Sequence, residues 1–195
     1  MNPKETPHPS TEPINLEAAD TLTILAHIFS RAKLPAVDRE GLQWIQSEAA
    51  KGNAGAQTHL GHIFYEGAGA GRNYVEARKW FLKAANQRVA EAQAALGLIY
   101  ASGHGVRQNF AQAAAWFEKA ATQGSSSAQC ALGVMYARGS GVPQDFGQAR
   151  AFLRVASDRG QSMARSVLHS MLSADSLIDH DLMFAASEIC NRQES

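Results

Sequence analysis

The chain has 195 residues, and its 18 Lys+Arg balance 18 Asp+Glu to a formal net charge of zero. No basic stripe could neutralise a run of phosphates, so a nucleic-acid partner is not expected. No apolar run approaches the roughly 20 residues of a membrane helix, and two cysteines, Cys130 and Cys190, are too few for a disulfide framework.

The opening residues, Met1-Asn2-Pro3-Lys4-Glu5-Thr6-Pro7, are polar and proline-rich with no apolar stretch behind them. They read as a disordered tail over residues 1–14 and not as a secretion leader, which makes the cytoplasm the expected compartment. Beyond the tail the chain repeats. Trp44, Trp80, Trp116 and Phe152 are each 36 apart, as are Ala56, Ala92, Ala128 and Ala164, and Leu60, Leu96, Leu132 and Leu168. A fixed period in this range marks one supersecondary unit stacked on itself, a solenoid. The expected organisation is a single domain over 15–192. It begins with a weak repeat at 15–52, continues with strong repeats at 53–88, 89–124 and 125–160, and ends in a degenerate capping unit at 161–192.

In the weak first unit, Leu25-Ala26-His27-Ile28-Phe29 parallels Leu60-Gly61-His62-Ile63-Phe64, and residues 44–52 supply its second helix. Lys33-Leu34-Pro35 stands there in place of the glycine turn of later units. The central repeat shows the full pattern. Ala92, Leu96, Gly97, Ile99 and Tyr100 fall on helical spacing and predict a helix A over about 90–102. Gly103-His104-Gly105 breaks it with two positions suited to positive φ. Asn109 then caps a helix B, with Gln112 completing a capping box, and Phe110, Ala113, Trp116, Phe117 and Ala120 space it out to Gly124. Asn73 with Glu76 and Asp145 with Gln148 repeat the cap, and Gly67/Gly69 and Gly139/Gly141 repeat the turn. Alanines at 84, 85, 120, 121 and 156 let helices approach, and the indoles fill the space between hairpins. On that basis Trp116→Ala is expected to cost about 3–5 kcal/mol. After Ala164 the pattern degrades, and a last amphipathic helix is expected over 181–192.

These residues follow the form A-x-x-x-L-G-x-x-Y-x-x-G-x-G-V-x-x-D/N-x-x-x-A-x-x-W-x-x-K-A-A-x-x-G, which resembles the Sel-one-like repeat family, a relative of tetratricopeptide repeats. Residues 92–124 match almost throughout. Residues 56–85 carry Phe64 for Tyr and Ala70 for Val, with Arg88 where Gly is expected, and residues 128–160 carry Phe152 for Trp and Val155 for Lys. The resemblance implies an all-α fold, a right-handed α-solenoid of antiparallel helix hairpins whose A helices line a concave groove. It also implies an adaptor, and many bacterial members serve secretion, envelope signalling or host interaction. A secreted, cysteine-rich branch has been described as binding and weakly hydrolysing β-lactams. This chain lacks the cysteine pairs of that branch.

With A helices lining the groove, its side chains are expected to be Thr23, His27 and Ser30, then Thr58, His62 and Tyr65, then Glu91, Ala94, Leu98 and Ala101. Ser127, Cys130, Val134, Ala137 and Arg138 follow, and Ser166, Ser170 and Ser173 end the row. Such a groove is polar and aromatic at its N-terminal end and apolar in the middle. That suits an amphipathic helix or an extended segment of a protein partner, bound by a monomer or weak homodimer. The alternative for Leu98 and Val134 is packing between neighbouring A helices.

Chemistry-bearing patterns are weak. His27, His59 and His62 could approach one another, but no Cys, Asp or Glu is placed to complete a metal shell, so no metal or cofactor is expected. Ser30-Arg31-Ala32-Lys33 matches the S-x-x-K nucleophile motif without its companion motifs. Gly67-Ala68-Gly69-Ala70-Gly71 follows a helix and lacks the ending of a phosphate loop. Cys130 has no basic neighbour fixed by the repeat and reads as a buried thiol. The expected function is a non-catalytic adaptor. A toxin-neutralising or secretion-linked binder is the alternative, and a hydrolase of β-lactams or cell-wall fragments is a remote third.

Overall fold

The computed structural model describes residues 20–29 and 37–173, the side chain of His27 excepted. The 1–14 tail, the Ser30–Lys33 motif and the 181–192 helix lie outside the described residues. Eight helices follow in order: α1 (Thr21–Ile28), α2 (Arg39–Ala50), α3 (Ala54–Glu66), α4 (Tyr74–Asn86), α5 (Ala90–Ser102), α6 (Phe110–Thr122), α7 (Ser126–Arg138) and α8 (Phe146–Asp158). A further helix, α9, begins at 162 and runs to the end of the described residues at 173. No described helix is long and apolar enough to cross a membrane.

Helices α3/α4, α5/α6 and α7/α8 are three hairpins of one design, and they stack as a right-handed α-solenoid. Each A helix ends on a left-handed glycine, Gly67, Gly103 or Gly139, whose N–H returns to the carbonyl four residues back. Each B helix starts on Asn73, Asn109 or Asp145, whose side-chain oxygen accepts from the N–H three residues on. The expected return half of the capping box is replaced by another bond. The backbone N–H of the cap donates instead to an A-helix carbonyl, Asn73 to Phe64, Asn109 to Tyr100 and Asp145 to Tyr136, at 2.8–2.9 Å. With that donor already satisfied, Glu76 is free to turn outward and pair with Lys79 at 2.6 Å.

Within a hairpin the closest contact is a B-helix side chain resting on an A-helix glycine. A Cβ added to Gly61, Gly97 or Gly133 would stand 2.6, 2.5 or 2.6 Å from Phe81, Phe117 or Leu153. These three side chains are fully buried. Between hairpins the indoles do the filling. Trp80 packs on Ile45 and Ala49 of the preceding helix α2 and on Leu60 and Ile63 of its own hairpin, and Trp116 packs on Phe81, Ala84 and Ala85 of the preceding helix α4 and on Leu96 and Ile99 of its own. Both indoles are only partly buried, and Lys83 and Lys119 lie over their outer faces at 3.8 and 4.0 Å. Trp44, at the equivalent position of α2, is 66% exposed.

A ladder of buried glutamines ties hairpin to hairpin. Gln57, Gln93 and Gln129 each donate their side-chain amide to a carbonyl near the end of the preceding B helix, Ala49, Ala85 or Ala121. Those carbonyls belong to the last turn of a helix, where intrahelical partners run out. Gln87 and Gln123 in turn donate to the side-chain oxygens of Gln57 and Gln93 at 2.8 and 2.6 Å. The third rung differs. Arg159 occupies the equivalent position and donates to the Gly124 carbonyl, and the Gln129 oxygen has no hydrogen-bond partner among the described residues.

The first unit departs from the expected design. Helix α1 does not pair with α2 as the A helix of a hairpin. Its main contacts are with α7 and α5. Asp20 caps it by accepting from the Thr23 N–H at 2.7 Å, a bond that holds the carboxyl below its usual range. Thr21 Oγ1 lies 2.8 Å from Ser140 Oγ, just beyond the end of α7. Ile28 and Phe29 reach the cavity that Ser125 and Ser127 line at the start of α7. The helix therefore runs antiparallel to α7, across the face of the A helices.

Two stability predictions follow from these contacts. Phe117→Ala empties the fully buried contact on Gly97 and should cost about 3–5 kcal/mol. Trp116→Ala loses a partly buried ring and one lysine contact and should cost about 1–2 kcal/mol, below the sequence-based expectation. Denaturant unfolding of both variants gives the order. Arg88 holds a φ of 63° where Gly52, Gly124 and Gly160 hold the same turn. Arg88→Gly should therefore stabilise the protein by about 1 kcal/mol, the left-handed penalty less the extra freedom glycine gives the unfolded chain. A higher unfolding midpoint at unchanged denaturant slope is the expected reading.

Candidate functional site

The A-helix face divides into an open half and a covered half. The repeat places equivalent positions in register along it. Thr58, Ala94 and Cys130 form one row, His62, Leu98 and Val134 a second, and Tyr65, Ala101 and Ala137 a third. Toward α7 these rows are small and apolar, and α1 lies on them. Ile24, Leu25 and Ile28 share one buried cluster with Ala94, Ala101, Cys130 and Val134, and Leu98 packs at its edge. Burial pushes the Cys130 thiol up to about 12, so it is protonated and inert as a nucleophile. Phe29, past the end of α1, stacks on Phe117 with ring centroids 5.4 Å apart.

Toward α3 the face opens into a cavity of about 890 Å³. One helix face of α3 supplies His62, Tyr65 and Glu66, the turn after it supplies Arg72, and the first residue of α4 supplies Tyr74. Helix α5 supplies Glu91, Ala94 and Leu98, and the α5–α6 turn supplies His104. His62 Nε2 lies 3.0 Å from Glu91 Oε1. Glu91 sits in the first turn of α5, whose cap residue Val89 offers no side-chain acceptor, so the helix dipole favours a carboxylate there. Tyr65 Oη lies 3.0 Å from His104 Nδ1. The Tyr74 ring stacks on His104 at 4.3 Å and meets Tyr65 edge-on at 5.2 Å. Arg72 lies 6.0 Å from the Tyr74 ring centre.

This cluster occurs at one junction of the solenoid. Ala68 and Ser140 stand where His104 does, and Phe110 and Phe146 where Tyr74 does. The structure thus brings together His62, Tyr65, Glu91, Ala94, Leu98 and Ser127 from the expected row and adds Arg72 and His104 from the turns and Tyr74 from the start of α4. Their departure from the residues at equivalent repeat positions was the available signal.

Other expected groove residues sit elsewhere. Thr23 is exposed on α1, which covers the groove instead of forming its wall, and His27 lies on the same helix. Thr58 is buried and donates its hydroxyl to the Ala54 carbonyl at 2.8 Å, so its polar atom is satisfied within α3. Ala101, Cys130 and Val134 are buried beneath α1. Arg138 lies at the end of α7, where its charge acts on Asp20. Ser166 on α9 is exposed and bonds to the Ser162 carbonyl, and Ser170 lies one turn on. His59 faces outward on α3. Among the described residues no three His, Cys, Asp or Glu side chains are grouped to hold a metal ion.

Burial holds His104 below its ordinary value of 6.5, and the Arg72 charge acts the same way. Burial first, then Tyr74, pushes Tyr65 up to about 12. Both groups are neutral near neutrality, and the cluster is a neutral hydrogen-bonded aromatic stack. The sign of its pH dependence follows. The unfolded ring of His104 takes up a proton before the folded one, so the contribution is complete above 6.5 and is lost as pH falls from there toward the lowered folded value. Thermal midpoints should fall on the acid side of 6.5, and His104→Gln should remove that component. In Arg72→Gln, the His104 midpoint followed by NMR should move upward toward 6.5.

Comparison with known proteins gives one family and two solved relatives. The Sel1 repeat model matches residues 54–89, 90–125 and 126–161. The solved structure of c5321, a protective antigen present in uropathogenic Escherichia coli strains and displaying an SLR fold, is 36% identical, with a TM-score of 0.66. That match covers 70% of this chain and 29% of the antigen. A Sel1 repeat protein from Oxalobacter formigenes is 31% identical with a TM-score of 0.63, over 66% of this chain and 53% of that one. The chain thus spans less than two thirds of the length of either protein. No curated protein matches the chain.

Proposed function

Because the chain belongs to the Sel1 repeat family, whose helical hairpins generally act as protein–protein interaction scaffolds, we propose that it is a non-catalytic adaptor working in the cytoplasm. It binds one protein partner through the A-helix groove. The observation that carries this reading is the groove itself, which already accommodates one helix and continues beyond it as an open, aromatic and polar cavity. Concave surfaces with an apolar floor and a few convergent polar groups suit a peptide segment, the floor giving affinity and the polar groups register. His62, Tyr65, Glu91 and His104 are the residues assigned to register, and Leu98 and Ala94 form the floor of the open half. The reading assigns the protein no catalytic step and no cofactor.

The test is co-purification of tagged protein from its native cells beside the Leu98→Glu variant. Leu98 is only partly buried, so a carboxylate there changes the cavity floor without entering the fully buried core. The expected result is a partner retained by the parent and reduced about tenfold or more by the variant, a loss of about 1.4 kcal/mol or more in binding, at an unchanged thermal midpoint. A partner held equally by both would remove the groove from the binding surface.

A further inference from the structure

The helix that covers the groove is informative about what else fits there. Helix α1 presents Ile24, Leu25 and Ile28 to the solenoid, at i, i+1 and i+4, while Thr23 and Ala26 face outward. Phe29 extends the apolar edge by its stack on Phe117. The receiving surface is made of Ala94, Ala101, Cys130 and Val134. Small side chains at these repeat positions leave a trough between α5 and α7 that takes branched aliphatic side chains as knobs.

Three observations separate α1 from the solenoid it lies on. The stack from α2 to α8 is continuous without it, because each A helix packs on its own B helix and on the preceding one. Its eight residues fall short of the roughly 12–15 that a helix needs to be even marginally stable alone, so its helicity depends on docking. The cavity continues from its C-terminal end, where Ile28 and Phe29 form one wall and Tyr65 and His104 another. A longer helix with the same apolar spacing would keep the contacts of α1 and extend along that cavity.

We propose that α1 is a resident competitor. The partner of the groove is a protein segment that forms an amphipathic helix with branched aliphatics at i and i+4, a neighbouring leucine and a following aromatic. It docks antiparallel to α5 and α7 and displaces α1 to do so. This rests on the adaptor reading and narrows it to a helical partner whose access is controlled by the chain's own N-terminal helix. The free groove is then a minor state, and the apparent affinity of the partner is lowered by the fraction of molecules in which α1 is released.

The probe is a labelled peptide of residues 20–29, titrated into three full-length proteins. These are the parent, an Ile24→Asp/Ile28→Asp variant in which α1 is released, and the released variant carrying Val134→Glu in the trough. The expected result is binding to the released variant about tenfold or more tighter than to the parent, abolished by Val134→Glu. Equal affinity for parent and released protein would overturn the proposal, as would a released variant that keeps its helicity and thermal midpoint yet does not bind. Should the aspartates unfold the protein, hydrogen exchange on the parent decides. Amides of α1 exchanging far faster than those of α5 and α7 support a displaceable helix, and equal protection overturns it. A parent that sediments as a dimer and a released variant that sediments as a monomer would make the occupant a second copy, against a foreign helix. Failure of the adaptor reading has its own signature: no partner co-purifies with parent or released protein, whatever the peptide does.

Discussion

At Gly61, Gly97 and Gly133 the A helices carry no side chain, and Phe81, Phe117 and Leu153 of the paired B helices rest on the bare backbone. That contact fixes the geometry of the hairpin. A methyl group at any of the three positions would stand within 2.5–2.6 Å of the facing side chain, so the two helices approach only because the residue is glycine. Close approach puts the B helix squarely behind the A helix. The opposite face of each A helix is then left without a partner from its own hairpin, and stacking three such hairpins lines those faces up as one groove. The open A-helix face is in this sense a by-product of the close packing within each hairpin.

The same repetition separates the residues that hold the solenoid from those available for recognition. The glutamine amide bonds to the preceding helix, the left-handed glycines and the B-helix caps recur with the period and are made within the stack. Groove positions do not recur. Where one unit has His62 and Tyr65 the next has Leu98 and Ala101, and the next Val134 and Ala137. Backbone geometry stays constant along the row while the chemistry moves from hydrogen-bonding and aromatic to apolar. A single scaffold thereby holds a trough filled by the aliphatic side chains of α1 beside a cavity lined by His62, Tyr65, Glu91 and His104. The third ladder rung shows how local this freedom is. Arg159 in place of glutamine keeps the bond to Gly124 and leaves the Gln129 oxygen without a partner, a cost confined to one junction and tolerable because neighbouring units hold it in place.

Most of the solenoid was legible because its determinants are local and periodic. Glycine at a helix end, a side-chain acceptor at a helix start and apolar residues at helical spacing each act within a few residues, and the 36-residue ruler sums three copies of the same evidence. Burial was harder to read. The ruler groups Trp44, Trp80, Trp116 and Phe152, but the fully buried ring is the next residue along, Phe81 or Phe117, because that is the one facing the glycine. Tyr74 opens α4 and His104 lies on a turn, at hairpin ends where periodicity says little about direction. Their stack depends on a contact between successive hairpins, Tyr74 at the start of one B helix and His104 in the turn before the next.

Helix α1 marks the limit of such reading and gives its physical reason. Leu25-Ala26-His27-Ile28-Phe29 has the letters of Leu60-Gly61-His62-Ile63-Phe64, and that likeness suggested an A helix. Apolar spacing states that a helix buries one face and is silent on what it buries that face against. The one letter that differs is the informative one. Position 26 is alanine where the A helices have Gly61, Gly97 and Gly133, and in those hairpins a Cβ at this point would collide with the B helix. Ala26 instead faces outward, and Ile24, Leu25 and Ile28 find a surface whose own rows have become small and apolar. A segment too short to fold alone thus becomes helical by docking on the A-helix face of the solenoid.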